Sequence, residues 1–552
     1  MTVFQHSSLG RLRGVQAKNN TIQFYSLPYA TIRKRFARSK TLDHFPCWHG
    51  QDIYDATQIG PSSIQPFNAA RMDADSNQLP SDIIKEDQLQ SEDCLRLSIT
   101  IPTDKPDYHE GLPVVVFLHG GAFYLNSGER PYYSPTAFIA QAMSESKPLI
   151  FVSVNYRLGA LGFFHSSQAS DLIPANNGLH DQLRALEWIA RYIRGFGGNP
   201  ANVTAIGQSA GAESLCLHNI SGQKTPLYKR SVTFSGTPVT MPAKTPDEHE
   251  QNFRSQAKKL GLDVSEKRSS AEIAHEMIDK VSVDAIRDLN FVGAPCSSSE
   301  ILPYDRPTVE LSRSDPETTV SWLESQVISS AGYDGSISWI ITKKNPGRKG
   351  HANSFRKIAK EVLGQQSADR LCELYEITRR DDAAGEAHDD QDLTRICQFE
   401  SDVGFICAAE AVADGCSRRD DKKTKTYYQL FDLPNPFEGY LTPNLYTTHS
   451  WDIVALLGAY DERLDVGYAG VVRHWRSRII EYCVSGKNPW EEYQSGKGMY
   501  VSKEGLDVKD LHMLPGAGRR ARLSEIAKDV YGDQGHDLLW EGVCRRWLDR
   551  GQ

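Results

Sequence analysis

Residues 203–217 read VTAIGQSAGAESLCL. Val203 to Ile206 has the pattern of a short buried strand, Gly207 suits a tight turn, and a helical run begins near Ala210. Between them, Gly207-Gln208-Ser209-Ala210-Gly211 fits G-x-S-x-G. The five residues alone could be an ordinary Gly-Ser loop, so the reading rests on the strand before them and the helix after them. A serine on so sharp a strand-to-helix turn has a strained backbone and points its hydroxyl out of the sheet. Glycines two residues to either side leave room for the bend, and the helix that follows aims its free N–H groups back at the serine. Ser209 is therefore the candidate nucleophile. A serine hydroxyl is a poor nucleophile at neutral pH, so a base, a group to orient it and donors for an oxyanion must be sought elsewhere.

Upstream, residues 113–118 (PVVVFL) and 149–154 (LIFVSV) are short continuous apolar runs that read as buried strands. Residues 180–194 place Leu183, Leu186, Ile189, Ala190 and Ile193 at helical spacing. Strands alternating with helices predict an α/β fold, with a large, mostly parallel central sheet, helices on both faces and inserted loops. In such sheets ligand sites collect at the C-terminal ends of the strands. Directly after PVVVFL comes His119-Gly120-Gly121-Ala122-Phe123. Small residues there let backbone N–H groups approach a substrate oxygen on which charge develops. The N–H groups of Gly121, Ala122 and Ala210 are the expected oxyanion donors, and His119, at the strand end, reads as structural.

The bulk composition agrees with an ordinary globular chain. Of 552 residues, 39% are hydrophobic and 24% charged, and the formal charge of −8 argues against a nucleic-acid or anionic-membrane partner. The first residues lack the apolar core of a secretory signal, no window approaches a membrane span, and the C-terminus carries no targeting motif. A cytoplasmic protein is expected. The ten cysteines form no C-x-x-C pair and none sits near histidines at zinc spacing, so no metal and no cofactor is expected. Residues 66–93 and 378–394 are polar or charged excursions, each either a lid or a solvated loop. There is no internal repeat, and the whole of 1–552 reads as one domain. Oligomeric state is not legible.

Several further motifs converge on one family. Glu92-Asp93-Cys94-Leu95-Arg96-Leu97, Asn155-Tyr156-Arg157-Leu158-Gly159, Asn177-Gly178-Leu179 with Asp181-Gln182, Ala185-Leu186 with Trp188-Ile189, Phe196-Gly197-Gly198-Asn199-Pro200, Ser235-Gly236 and Gly486-Lys487-Asn488-Pro489 lie along nearly the whole chain. With the G-x-S-x-G turn they resemble the type B carboxylesterases, which include cholinesterases, fungal lipases and the non-catalytic neuroligins. The resemblance implies the α/β-hydrolase fold and a triad in the order Ser, acid, His. The family's acid sits in an E-G or D-G pair after a strand, which here gives Asp334 before Gly335, with Asp305 and Glu324 nearby as alternatives. The family's histidine lies in an H-x-x-[ED] block, which here gives His449 before Asp452. The resemblance further implies two structural ion pairs, Arg35 with Glu92 and Arg157 with Asp181.

The chain also departs from the pattern. Ser63 stands where the family has the disulfide partner of Cys94, so Cys94 is expected to stay a thiol and interfacial activation on lipid is disfavoured. Gln208 stands where glutamate is common, and the acid is Asp334 rather than the more frequent glutamate. The expected function is hydrolysis of a small or medium uncharged carboxylic ester, a small-molecule substrate, through an acyl-enzyme on Ser209. Acyl transfer or lactone opening in a secondary-metabolite pathway is the alternative, and a neuroligin-like binding protein the remote one. Phe123, Tyr124, Trp339 and Trp451 are read as either gorge lining or core.

Overall fold

The computed structural model describes residues 1–42, 52–85, 87–103, 109–304, 320–345, 349–379, 386–417, 424–493, 496–532 and 535–550. One large sheet runs through them in the order Thr2–His6, Gly10–Ala17, Thr21–Pro28, Arg96–Pro102, Ile150–Val154, Leu112–Leu118, Gly198–Gln208, Arg230–Phe234, Ser325–Ala331, Lys425–Phe431, Lys497–Ser502 and Gly505–Asp510. From Ile150–Val154 to Lys497–Ser502 every neighbouring pair is parallel. The flanks are antiparallel. The sheet is thus mixed, with a parallel centre as expected and antiparallel edges added by the first hundred residues and by a late hairpin.

The continuous apolar run at 113–118 has a simple cause. Val114, Val116 and Leu118 point into a core shared with Leu179, Leu186 and Trp188 of the helix Asn177–Tyr192. Val115 and Phe117 point the other way, into a core shared with Phe138, Trp475 and Ile479. Both faces are covered, so the alternation normal for a half-exposed strand disappears. The helix expected from residue 180 begins three residues earlier, at Asn177, and Ala190 faces solvent. A third core joins Trp339, Phe355, Phe399 and Phe405 to Trp540 and Trp547. It is built from helices far apart in sequence, Ser336–Lys343, His351–Leu374, Glu386–Glu400 and Ala517–Tyr531 with the turns that follow.

The acidic excursion at 66–93 is not simply a solvated loop. It contains the helix Ala69–Ser76, which buries Ala69, Ala70, Asp73 and Ala74. The carbonyl of Asn77 accepts from Asn435 Nδ2 and Thr448 Oγ1, and Gln78 Nε2 donates to the Phe437 carbonyl at 2.7 Å. This segment is therefore bonded to the stretch that carries His449. Of 378–394, residues 380–385 lie outside the described residues, and the rest of its C-terminal half starts the helix Glu386–Glu400.

Cys94 is buried and unpaired, and Ser63 Oγ accepts the Leu158 N–H at 3.0 Å instead of forming a disulfide. Both expected ion pairs form. Arg35 reaches Glu92 at 2.6 Å, and Arg157 grips Asp181 through two bonds of 2.7 and 2.8 Å with both side chains almost fully buried. The second is the fork-to-fork geometry, and it ties the stretch after the strand Ile150–Val154 to the helix Asn177–Tyr192.

Candidate active site

Ser209 sits at the C-terminal end of the strand Gly198–Gln208 with φ 53° and ψ −124°, a backbone that L-residues rarely adopt. The conformation is over-determined by its surroundings. Ser209 N–H donates to Phe234 O at 2.8 Å, and the Ser209 carbonyl accepts from Glu213 N–H at 2.9 Å in the helix Ala210–Asn219. A Cβ on Gly236 would meet that same carbonyl at 2.1 Å, and a Cβ on Gly207 would meet Gly211 O at 2.3 Å. The glycines of the motif are thus needed for close backbone approach.

Asp334 follows the strand Ser325–Ala331, two strands along the sheet. It is wholly buried. One carboxylate oxygen lies 2.7 Å from His449 Nδ1, and the other accepts the Ala331 N–H at 2.8 Å. A Cβ on Gly335 would come within 2.0 Å of Cys397 O, which explains the D-G pair. Of the alternative acids, Glu324 lies at the opposite end of that strand, paired with Lys229 at 3.2 Å, and Asp305 falls outside the described residues. His449 is held from three further sides. Its N–H donates to Ser336 Oγ at 2.8 Å, the Phe405 ring meets its ring edge-on at 5.5 Å, and Thr448 bridges to Tyr333.

One further contact has no signal in the sequence. His449 Nε2 lies 3.1 Å from Gln208 Nε2. With Nδ1–H committed to the Asp334 carboxylate, the Nε2 lone pair accepts from the Gln208 amide. Ser209 Oγ makes no hydrogen bond among the described residues. Gly120 ties the group together, because a Cβ there would meet Gln208 Oε1 at 2.3 Å and Ser209 Cβ at 2.8 Å. Ser209 and Gln208 therefore crowd around one glycine of the HGG turn.

That turn is strongly bent. Gly121, Ala122 and Phe123 have φ of 99°, 55° and 52°, and a side chain on Gly121 would strike Leu125 O at 2.2 Å. Among the described residues the N–H groups of Gly121 and Ala122 meet no acceptor, and that of Ala210 is at the first helical position, where no intrahelical partner exists. His119 is not at the reacting end. Its ring stacks on Tyr156 at 4.6 Å, and burial pushes it down to about 4, so it is neutral. Phe123 packs on Phe163, and Trp451 donates to Tyr468 Oη at 2.7 Å within the core. Trp339 stands against Tyr440, and the Tyr124 hydroxyl donates to Asn290 at 2.8 Å.

Two buried carboxyls near the triad were missed in the sequence. Asp452 accepts from Ser235 Oγ at 3.2 Å and from the Ile453 N–H at 2.8 Å, and burial, helped by Asp334, pushes it up to about 7. Glu400 accepts from Ser338 Oγ, and burial with the Asp334 charge pushes it up to about 8. The sequence marks Asp452 only as the last residue of the H-x-x-D block and does not mark Glu400; their partners Ser235 and Ser338 lie 217 and 62 residues away. Such groups are neutral in the fold at pH values where they ionise in the unfolded chain. The unfolded state then binds fewer protons, so stability falls as pH rises between the two values. We expect the Tm to fall between pH 5 and 8, and Glu400→Gln to remove about 1.4 kcal/mol of that fall per pH unit between about 4.5 and about 8. Thermal unfolding of both proteins across this range checks it; parallel curves would contradict it.

A model of the carboxylesterase family matches residues 2–465. Para-nitrobenzyl esterase of Bacillus subtilis (strain 168) is 35% identical over 232 residues, 42% of this chain and 43% of that protein. Mouse (Mus musculus) cholinesterase is 32% identical over 290 residues, 51% of this chain and 45% of that protein. Lipase 3 of Yarrowia lipolytica (strain CLIB 122 / E 150) is 25% identical over 516 residues, 91% of this chain and 92% of that protein. The matched stretch thus spans less than half the length of the Bacillus and mouse relatives. A solved structure of PNB esterase superposes with TM-score 0.72 at 21% identity, covering 95% of this chain and 99% of that one, and so shares the α/β-hydrolase fold. The strained serine turn, the buried carboxylate–imidazole pair and the match over most of the sequence lead to one statement: this chain belongs to the carboxylesterase family.

Proposed function

We propose that the protein is a serine carboxylesterase that hydrolyses a small or medium uncharged carboxylic ester through an acyl-enzyme on Ser209. The carrying observation is the 2.7 Å pair between Asp334 and His449 Nδ1, with His449 Nε2 turned toward the residue next to Ser209. In this reading Ser209 Oγ attacks the ester carbonyl while His449 Nε2 takes its proton. The alkoxide leaves with that proton, and a water repeats the sequence to release the acid. Asp334 holds the Nδ1–H tautomer and stabilises the imidazolium. The N–H groups of Gly121, Ala122 and Ala210 stabilise the oxyanion, each worth about 3 kcal/mol by analogy with other oxyanion donors. The reading takes 1–552 as one domain, which is supported by a sheet that draws strands from Thr2 to Asp510. Among the described residues no helix is long and apolar enough to cross a membrane, and no cluster of metal-ligating side chains occurs.

Acyl transfer and lactone opening would use the same groups with an alcohol replacing water or a cyclic ester as substrate. Product analysis of an aryl ester with and without an acceptor alcohol separates them; free acid as the sole acyl product supports hydrolysis.

Gln208 gives this chain its own signature. For Ser209 Oγ to reach Nε2, the Gln208 amide must yield that lone pair. Gln208→Glu would place a carboxylate about where the amide lies, favouring the imidazolium. The acid limb of kcat/KM against pH should therefore move to higher pH, by about one unit, while Gln208→Ala should not move it upward. Aryl-ester kinetics between pH 5 and 9 would show this; an unmoved limb in Gln208→Glu would contradict the contact.

A further inference from the structure

The helix that starts at Ser209 carries a second, unexplained acid one turn on. Glu213 is fully buried. Its Oε2 accepts the Met241 N–H at 3.1 Å, whereas Oε1 is buried with no partner among the described residues. Glu400 repeats the pattern: Oε1 is bonded to Ser338, and the buried Oε2 has no partner among the described residues. A buried carboxyl oxygen without a partner costs roughly 1–3 kcal/mol, so two of them in one neighbourhood call for an explanation.

Both acids share a neighbour. The positive charge of Arg545 acts on Glu213 and on Glu400, opposing the rise that burial imposes on each. Arg545 is half-buried, and its side chain makes no hydrogen bond or ion pair among the described residues. It ends the turn Trp540–Arg545, and that turn packs behind the imidazole through Phe405. Trp540 meets Phe405 edge-on at 6.0 Å, and Phe405 meets His449. The Trp540 indole also donates to Thr240 O, next to the residue that Glu213 holds. Three polar groups with spare bonding capacity thus come from the nucleophile helix, from the end of the helix Glu386–Glu400 and from the C-terminal turn.

We infer that Glu213, Glu400 and Arg545 form a polar end to the ester pocket and select an ester whose acyl or alcohol arm carries a free hydroxyl. This rests on the ester-hydrolase reading above and gives it a substrate class. A hydroxyl donates once and accepts twice, so it can give its proton to one carboxyl oxygen and accept from the other carboxyl or from the guanidinium. Burial pushes both acids up, Glu400 to about 8, which disfavours the charged form of each. An uncharged hydroxyl therefore suits this end better than an ammonium or a carboxylate does. A plain alkyl arm leaves all three groups unpaired, and pockets built on hydrogen bonds discriminate strongly against the analogue that lacks the polar group.

The test compares kcat/KM for matched pairs: p-nitrophenyl hexanoate against 6-hydroxyhexanoate, and hexyl against 6-hydroxyhexyl acetate. Enzyme concentration is set by fluorophosphonate titration, so a partly folded variant does not distort the ratio. In the wild type the hydroxylated member of at least one pair should be preferred by about tenfold or more. Glu213→Leu should bring that ratio to near one, and Glu213→Gln, which keeps donor and acceptor, should retain most of it. No preference in either pair, a stronger preference for 6-amino or 5-carboxy analogues, or a ratio untouched by Glu213→Leu would overturn the inference. Those outcomes in an enzyme that is titrated by the probe and cleaves the alkyl esters leave the hydrolase reading standing. An untitrated wild type that cleaves no ester overturns that reading itself.

Discussion

Ser209→Ala is expected to abolish labelling by a fluorophosphonate and to lower kcat for an aryl ester by about 10⁴-fold or more, with the fold intact. The loss is large because the variant removes the atom that forms the acyl-enzyme, not a contact that tunes it. What remains is the catalysis that oxyanion donors and binding supply on their own. The fold should survive because the strained turn is held by backbone bonds, Ser209 N–H to Phe234 O and Glu213 N–H to Ser209 O, not by the hydroxyl. Alanine at φ 53° carries the same Cβ as serine, so the strain is not increased. Circular dichroism and Tm close to the wild type, with labelling gone, are the combined result to look for. Retained labelling would place the nucleophile elsewhere.

The second large effect concerns the acid. Asp334→Asn should lower kcat by about 10⁴-fold, in line with the cost of losing the carboxylate from such a triad. The geometry explains why. One carboxylate oxygen accepts the Ala331 N–H at 2.8 Å, and an asparagine carbonyl would take that bond. The asparagine NH₂ would then face His449 Nδ1, now 2.7 Å from a carboxylate oxygen, and would need Nδ1 as an acceptor. That selects the tautomer protonated on Nε2, which cannot accept the Ser209 proton. Asp452→Asn is the control, because Asp452 bonds Ser235 and a backbone N–H, not the imidazole. Its loss in kcat should be less than about tenfold. Comparable losses in the two variants would mean that the acid has been misassigned.

How much of this was legible in the sequence follows from the range of the interactions involved. The serine turn and the HGG loop could be read directly, because each is a local conformational demand that only certain residue types meet. Asp334 and His449 have no such local signature and came from the family resemblance; the D-G pair makes sense only once Gly335 is seen against Cys397 O. The helix Ala69–Ser76 was hidden because its buried face is made of alanines and one aspartate, so charge count alone suggested solvent. Asp73 is tolerated there because Tyr132 and Asn126 donate to the same carboxylate oxygen, at 2.7 and 3.0 Å. Glu213, Glu400 and Arg545 are illegible for the same reason. In sequence they are ordinary charged residues, and only the packing of distant helices buries them. Gln208 was recognised as unusual, but its bond to His449 is a fact of three dimensions.

The most direct test of the whole account is to quench aryl-ester turnover with acid, digest the protein and locate the acyl group by mass. The acyl group is expected on the peptide that carries Ser209 and on no other. An acyl group on a different residue, or turnover by Ser209→Ala at the wild-type rate, would contradict it.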